Sequence, residues 1–262
     1  MATFSPAGKT VVVTGGASGL GKAIATAFLA AGARVAVCDV NEKRLEETTA
    51  EWKQYDGKFI LTKTDITDEA AVNAFFASAS SKFGRVDMLI NNAGVMDHFD
   101  PAGELSLDLW NRIIGVNLTG AYLCTKAAVN TFEAQTPVRG TIINICSVSS
   151  LRGLAAGAAY TASKHGLLGL MRNTAGSYGP KGIYSLAFIM GGMDTNIVDA
   201  FATGMNQAGA AASSMANPGF VMGVTNVQPA DVAKYCIFYS DWAMAETSNG
   251  TTVMISKNWP SA

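Results

Sequence analysis

The stretch TVVVTGGASGLG, Thr10 to Gly21, decides the fold. Its first half is a β-branched run closed by glycine, the pattern of a short strand buried on both faces. Its second half sets Gly15, Gly19 and Gly21 just ahead of, and into, LGKAIATAFLAAG (Leu20–Gly32), which has helical apolar spacing and a glycine stop. Strand, glycine turn and helix in this order open a βαβ unit. Glycine permits positive φ at the turn and lacks the Cβ that would keep a ligand's phosphates away. The helix N-terminus adds free N–H groups and the positive end of a dipole.

The rhythm continues outward from this stretch. RVAVCDV, KFILTKTDI, RVDMLINNAG, GTIINICSVSS, GIYSLAFIM and TTVMIS read as further strands. Helical stretches fall at 41–54, up to Phe83, at 105–114, 118–135, 158–178 and 229–240. Apolar strands alternating with helices predict an α/β fold, a doubly wound, mostly parallel seven-stranded sheet with helices on both faces and right-handed crossovers. No Pro/Ser-rich linker divides the 262 residues, so residues 1–262 are expected to form a single Rossmann-type domain. The segment 194–228 breaks the rhythm. It is rich in Ala, Gly, Ser, Met and Asn, a composition expected of a lid or of disorder. Met193, Phe201, Met205, Met215, Phe220 and Met222 lie in or beside it, and flexible Met among small residues suits an adaptable apolar pocket as well as plain packing.

Composition narrows the function. Net charge is −1 with scattered Lys and Arg, so no basic stripe marks a nucleic-acid or anionic-membrane partner. The four cysteines are far apart, which argues against a disulfide scaffold or a Cys-based zinc site, and the two histidines are too few for a His-rich metal centre. No apolar run is long enough to span a bilayer, no secretory signal is evident and the ending PSA matches no address, so a cytoplasmic location is expected.

Asp39 closes the second strand, where a dinucleotide fingerprint places its ribose carboxylate. It would accept hydrogen bonds from the adenosine 2′- and 3′-hydroxyls and repel a 2′-phosphate. No Arg or Lys lies within Gly15–Gly21 to offset that charge, which favours NAD over NADP. Further along, Tyr160 and Lys164 are four apart and share a helix face. A phenol of pKa about 10 is a poor base near neutrality, and a neighbouring ammonium favours the phenolate. Such a pair can exchange a proton with a carbonyl or alcohol oxygen. Ser147 follows the fifth strand, at the sheet edge where these folds bind ligands, and can polarise the same oxygen. For an arbitrary Tyr and Lys at this spacing, a solvated helix face would be the better reading.

The motifs together change that balance. TGGASGLG, CDV, Asp65–Ile66, NNAG at Asn91–Gly94, VN at Val116–Asn117, INICS at Ile143–Ser147 and YTASK at Tyr160–Lys164 stand in an order that resembles the short-chain dehydrogenase/reductase (SDR) superfamily over about Lys9 to Thr195. The resemblance implies a catalytic tetrad of Asn117, Ser147, Tyr160 and Lys164. Tyr160 would be the general acid/base and Ser147 would orient the substrate oxygen. Lys164 would lower the Tyr160 pKa and bind the nicotinamide ribose. Asn117, through its backbone carbonyl in a kinked helix, would hold a proton-relaying water. It also implies that Gly15, Ser18, Gly19, Leu20, Gly21, Asp39, Asp65, Ile66, Asn91, Ala93, Gly94, Tyr160, Lys164, Gly191, Met193 and Thr195 line the NAD site. The cofactor would carry the hydride. His98, Ser149, Arg152, Met193 and Phe220 are candidate substrate contacts. The implied activity is interconversion of a secondary alcohol and a ketone, by oxidation or ketone reduction, on an apolar steroid-, terpenoid- or polyketide-like molecule. An isomerase, lyase or cyclase using the same site, or a non-catalytic NAD sensor, are the alternatives. A homodimer or homotetramer with helices 118–135 and 158–178 at an interface is also implied.

Two positions depart from the family pattern. Leu186 stands for its Asn, and Met190 for the Pro of its Pro-Gly turn. Losing the proline frees φ and restores an N–H that needs a partner. A modified pocket floor or a more mobile loop is expected. Cys146, before Ser147, reads as a small buried hydrophobe, Ser163 as packed or bonded locally, and His165 as facing away from the tetrad.

Overall fold

The computed structural model describes residues 4–221 and 223–260, with backbone only at 198, 200 and 203. Met222, read as part of the Met-rich segment, and the last two residues of PSA lie outside the described residues.

Thr10–Thr14 forms β1, buried along its whole length. It lies inside a seven-stranded sheet with β2 (Arg34–Asp39), β3 (Phe59–Lys63), β4 (Met88–Asn91), β5 (Gly140–Ser147), β6 (Ile183–Met190) and β7 (Thr252–Ile255). The order is β3-β2-β1-β4-β5-β6-β7, and every pairing is parallel. The chain winds outward from β1 to β3, then crosses back to place β4 on the other side of β1. That reversal opens a crevice at the C-terminal ends of β1 and β4.

Side chains alternate across the sheet. Val11 and Val13 pack with Ile24 and Phe28 of α1 (Gly19–Ala30), Leu45 of α2 (Glu42–Glu51) and Val232 of α8 (Pro229–Phe238). Val12 faces the other layer, Val72 and Phe76 of α3 (Glu69–Phe83) and Val129 of α5 (Ala121–Glu133). Leu167 and Met171 of α6 (Ala158–Tyr178) extend that layer over Ala187 and Ile189 of β6. Apolar strands are stable here because both faces are covered. The helix starts follow side-chain chemistry: Asn41, Asp68, Ser106 and Asp241 each accept a first-turn N–H.

Three details differ from the sequence reading. The helical stretches at 105–114 and 118–135 are one irregular rod: α4 (Leu107–Ile114), a π-turn at Gly115–Gly120, then α5. Within 194–228 the backbone is ordered as a 3₁₀ segment (Asn196–Thr203) and a helix, α7 (Gln207–Ala216). A short α9 (Trp242–Thr247) precedes β7. Neither α7 nor α9 announces itself, because small residues in one and a single turn and a half in the other leave no apolar period to read.

Candidate active site

The crevice begins at the glycine turn. Gly15 and Gly19 have φ of +61° and +51°, in the left-handed region. A Cβ at Gly21 would meet Asn92 Nδ2 at 2.5 Å, and one at Gly15 would meet Ala93 Cα at 2.9 Å. The turn is therefore drawn tight against the NNAG loop. Thr14 and Asn92, which sequence reasoning missed, make that junction. The Thr14 hydroxyl accepts the N–H groups of Asn92 (3.1 Å) and Ala93 (3.0 Å), and Asn92 Nδ2 donates to the carbonyls of Thr14 and Gly15. Ser18 stands at the N-cap of α1 without a side-chain cap bond, and no acidic residue occupies the first turn. Leu20 is buried on the core side of the same turn. The positive end of α1 thus opens on the crevice with no carboxylate in its first turn.

Asp39 ends β2. Its carboxylate accepts the N–H groups of Ala17 (3.2 Å) and Asn41 (3.0 Å), which aim it across the rim of the glycine turn. The sequence places no cation within Gly15–Gly21, but the fold brings one from α2. Arg44 Nη1 lies 3.4 Å from Ser18 Oγ, while Nη2 pairs with Asp199 at 2.8 Å. Asp65 accepts the Thr67 N–H and hydroxyl, and Ile66 packs where a Cβ on Gly120 would collide with it. Asn91 is turned into the sheet: its amide donates to Thr125 and Asn144, both at 3.0 Å. Ala93 and Gly94 present backbone, and a Cβ on Gly94 would stand 3.5 Å from Lys164 Nζ.

Tyr160, Ser147 and Lys164 converge where β5 ends beside α6. The Ser147 hydroxyl faces the Tyr160 phenol and accepts the N–H of Ser149 at 3.1 Å. Ser149 is thereby buried behind Ser147. Lys164 Nζ donates to the Ile145 carbonyl at 2.9 Å and lies 5.6 Å from the Tyr160 ring centroid. Burial lifts the Tyr160 phenol well above its ordinary value, and the nearby Ser147 hydroxyl only partly opposes this. Burial also lowers Lys164. In the protein alone, desolvation is the largest influence on both groups.

Asn117 sits in the π-turn, which breaks the regular i→i−4 ladder. Its side chain accepts the Val95 N–H (2.8 Å) and donates to the Val95 carbonyl and to Ser163 Oγ (3.1 Å). Ser163 in turn donates to the Tyr160 carbonyl at 2.7 Å. Tyr160, Ser163 and Asn117 are one bonded group. His165 faces solvent, with Nδ1 2.9 Å from the Thr161 carbonyl.

The third wall is the end of β6. Met190 replaces the family proline without leaving a loose turn. It pairs in register with Ser147 on one side and Ile255 on the other, and Gly191 N–H bonds the Ile255 carbonyl at 3.0 Å. The strand simply runs on, and the Met190 side chain joins the core beside Leu186. Met193 forms a bridge to Val227. Thr195 caps the 3₁₀ segment, and this segment's start lies against Gly19, whose Cβ would be 3.5 Å from Thr195 Cβ.

The substrate candidates are dispersed. The His98 carbonyl accepts the Asn206 N–H at 2.8 Å, under the 194–228 segment. Phe220 packs at a tilt against Trp259 (4.7 Å between centroids) and covers Gly192. Arg152 lines a recess with Met254 and Asn258, beside the end of β7. Asp97 is a buried acid that the sequence reading passed over. Its carboxylate accepts the N–H groups of Gly157 (3.1 Å), Tyr160 (2.8 Å) and Phe99 (3.1 Å). Among the described residues no group of side chains is placed to hold a metal ion, and no helix is long and apolar enough to cross a membrane.

This geometry agrees with comparison to known proteins. The family described as short chain dehydrogenase matches residues 9–206. The chain is 43% identical over 256 residues to a short chain dehydrogenase/reductase, dpchG, of Colletotrichum higginsianum, covering 97% of this chain and 95% of that one. It is 35% identical to 3beta-hydroxysteroid dehydrogenase 2 of Eggerthella lenta, covering 97% and 95%. Among solved structures, levodione reductase superposes with a TM-score of 0.84 at 28% identity, covering 96% of this chain and 97% of that one. The chain belongs to the short-chain dehydrogenase/reductase family. It is an oxidoreductase acting on CH–OH groups of small molecules, with a nicotinamide cofactor, NAD or NADP. The residues present fit such a dinucleotide: the glycine turn with Gly15 and Gly19 at positive φ, the N-terminus of α1 with no acidic residue in its first turn, and the backbone shelf at Ala93–Gly94, where a Cβ on Gly94 would stand 3.4 Å from Asn117 and 3.5 Å from Lys164, form a cradle for it.

Proposed function

We propose that this enzyme uses NAD(H) to interconvert a secondary alcohol and a ketone on a mostly apolar, alicyclic small molecule, with Tyr160 as general acid/base. The observation that carries this reading is the meeting of Ser147, Tyr160 and Lys164 at the C-terminal edge of β5, beside the glycine cradle. When bound, the nicotinamide carries the hydride and, when oxidised, a positive charge. The chain's own residues manage the proton and the position. Ser147 holds the substrate oxygen against the phenol. Tyr160 takes the alcohol proton or gives one to the carbonyl. Lys164 stands at the Ala93–Gly94 shelf to hold the ribose, and the Asn117 π-turn offers a route for protons to solvent. NAD is favoured because Asp39 guards the ribose position and Arg44, which reaches Ser18, is paired with Asp199.

Two relatives support the substrate class, since one is named for a 3β-hydroxysteroid and another for levodione. Within the single-domain reading, segment 194–228 serves as the lid. Its exposed Met205, Met215, Phe220 and Val221 supply apolar surface beside the crevice. A cytoplasmic homodimer or homotetramer completes the reading. It is supported by apolar Leu107, Trp110 and Tyr122 exposed on α4 and α5, and by the sheet edge at β7, where Met254 is 54% exposed.

The test is nicotinamide absorbance with NAD, NADH, NADP and NADPH against a panel of 3β-hydroxysteroids, 3-ketosteroids, decalols and cyclic diketones. Turnover with NAD(H) that Tyr160→Phe reduces by about 10³-fold or more is the expected result. Undiminished turnover in that variant, or none on any panel member, would sink the proposal. Faster turnover with NADP(H) would sink the Asp39 argument alone.

A further inference from the structure

We propose that Asp97 is a positioning residue for Tyr160: from across the crevice its buried carboxylate caps the helix that carries the phenol and fixes a negative charge beside it. The proposal rests on Tyr160 as the general acid/base.

Four observations carry it. Asp97 has no exposed surface. A carboxylate is buried so fully only where hydrogen bonds replace its water. Here the donors are the N–H groups of Gly157 and Tyr160, which open α6, and of Phe99. Gly157 stands at the N-cap of α6 and has no side chain to serve as a cap. Asp97 fills that role from 60 residues away, and Asp100 assists by accepting the Ala158 N–H through its carbonyl at 2.9 Å. Gly157 must be glycine for this: a Cβ there would stand 2.6 Å from both carboxylate oxygens. Finally, Asp97 bonds the N–H of Tyr160 itself, so the phenol's height above the sheet is set by this contact.

The same carboxylate acts on charge. The groups facing the phenol are Ser147 and Cys146 from β5, Lys164 from its own helix, and Asp97 from the loop after β4. Asp97 disfavours the phenolate there, adding to the larger effect of burial. A general acid that must stay protonated until the carbonyl arrives gains from that charge. Removing it makes the phenol easier to ionise. Oxidation needs phenolate and reduction needs phenol, so the acid limb of the oxidation profile and the alkaline limb of the reduction profile both move to lower pH.

The experiment compares pH profiles of kcat and kcat/KM, in both directions, for wild type, Asp97→Asn and Gly157→Ala, using the best substrate of the panel above. Melting temperatures and active-enzyme concentration correct for folding. Asp97→Asn keeps the shape but loses the charge and one acceptor. The limb is expected to move down by roughly 0.5–1 pH unit, with kcat reduced about tenfold. Gly157→Ala keeps the charge but pushes the cap away, and should lower kcat with a smaller limb shift than Asp97→Asn. If both variants lose melting temperature but keep wild-type kcat and pH limbs per folded enzyme, Asp97 is only a structural cap and the proposal is overturned. If Tyr160→Phe retains turnover, the functional reading has failed and this inference falls with it.

Discussion

Ser147 shows how little of a side chain's role is visible from its identity. Its hydroxyl accepts the Ser149 N–H while facing the Tyr160 phenol, so its position is held before any substrate arrives. A donor pre-aimed at a developing charge is worth several kcal/mol in a buried site. Ser147→Ala should therefore cut kcat by about 10²–10³-fold while changing KM little, which steady-state kinetics on the panel substrate will show. The pairing of Tyr160 with Lys164 was legible from spacing, and Ser163 and His165 fall where helix geometry puts them. The direction of the Tyr160 shift was not legible. Spacing reports that an ammonium is near but not that both groups are dry.

Among the elements, the longest apolar patterns were read most faithfully. All seven strands and the helices flanking them appear where hydrophobic periodicity places them. The π-turn was implied only by resemblance, since a one-residue insertion in a helical ladder leaves no mark on periodicity. Met190 is instructive in the other direction. A missing proline suggested a loosened turn, yet neighbours at Ser147 and Ile255 take up the freed strand position. Strand β5 begins at Gly140, where a Cβ would run into the ring of Phe132 on α5. Gly140→Ala must push helix and sheet apart, and should cost about 1–3 kcal/mol in urea unfolding, with kcat of the folded fraction unchanged.

Across the whole molecule, the segment 194–228 is tied at both sides of the crevice. Arg44 holds Asp199 beside the nucleotide turn. Phe99 stacks on Phe201, and Asn206 donates to Asp100 and Glu104 from the loop after β4. Because Asp199 is more than half exposed, the Arg44 pair is worth no more than about 1 kcal/mol. Arg44→Ala is thus expected to raise KM for NAD by at most about fivefold with kcat retained, and 0.5 M salt, which screens exposed charges on the order of a few ångströms, should erase the difference. A larger loss, or one insensitive to salt, would mean that Arg44 touches the cofactor directly.

The sequence by itself determined the strand–helix alternation, the glycine cradle and the identity of the residues at the end of β5, because these depend on local periodicity and on residue types at fixed spacing. Only the tertiary structure decided which buried groups face one another. It brought Arg44 to Ser18, wrapped 194–228 over the crevice, carried β6 through Met190 and set Asp97 under the helix of Tyr160. Those contacts join residues far apart in the chain, and their energies come from desolvation and packing, which no stretch of sequence carries alone.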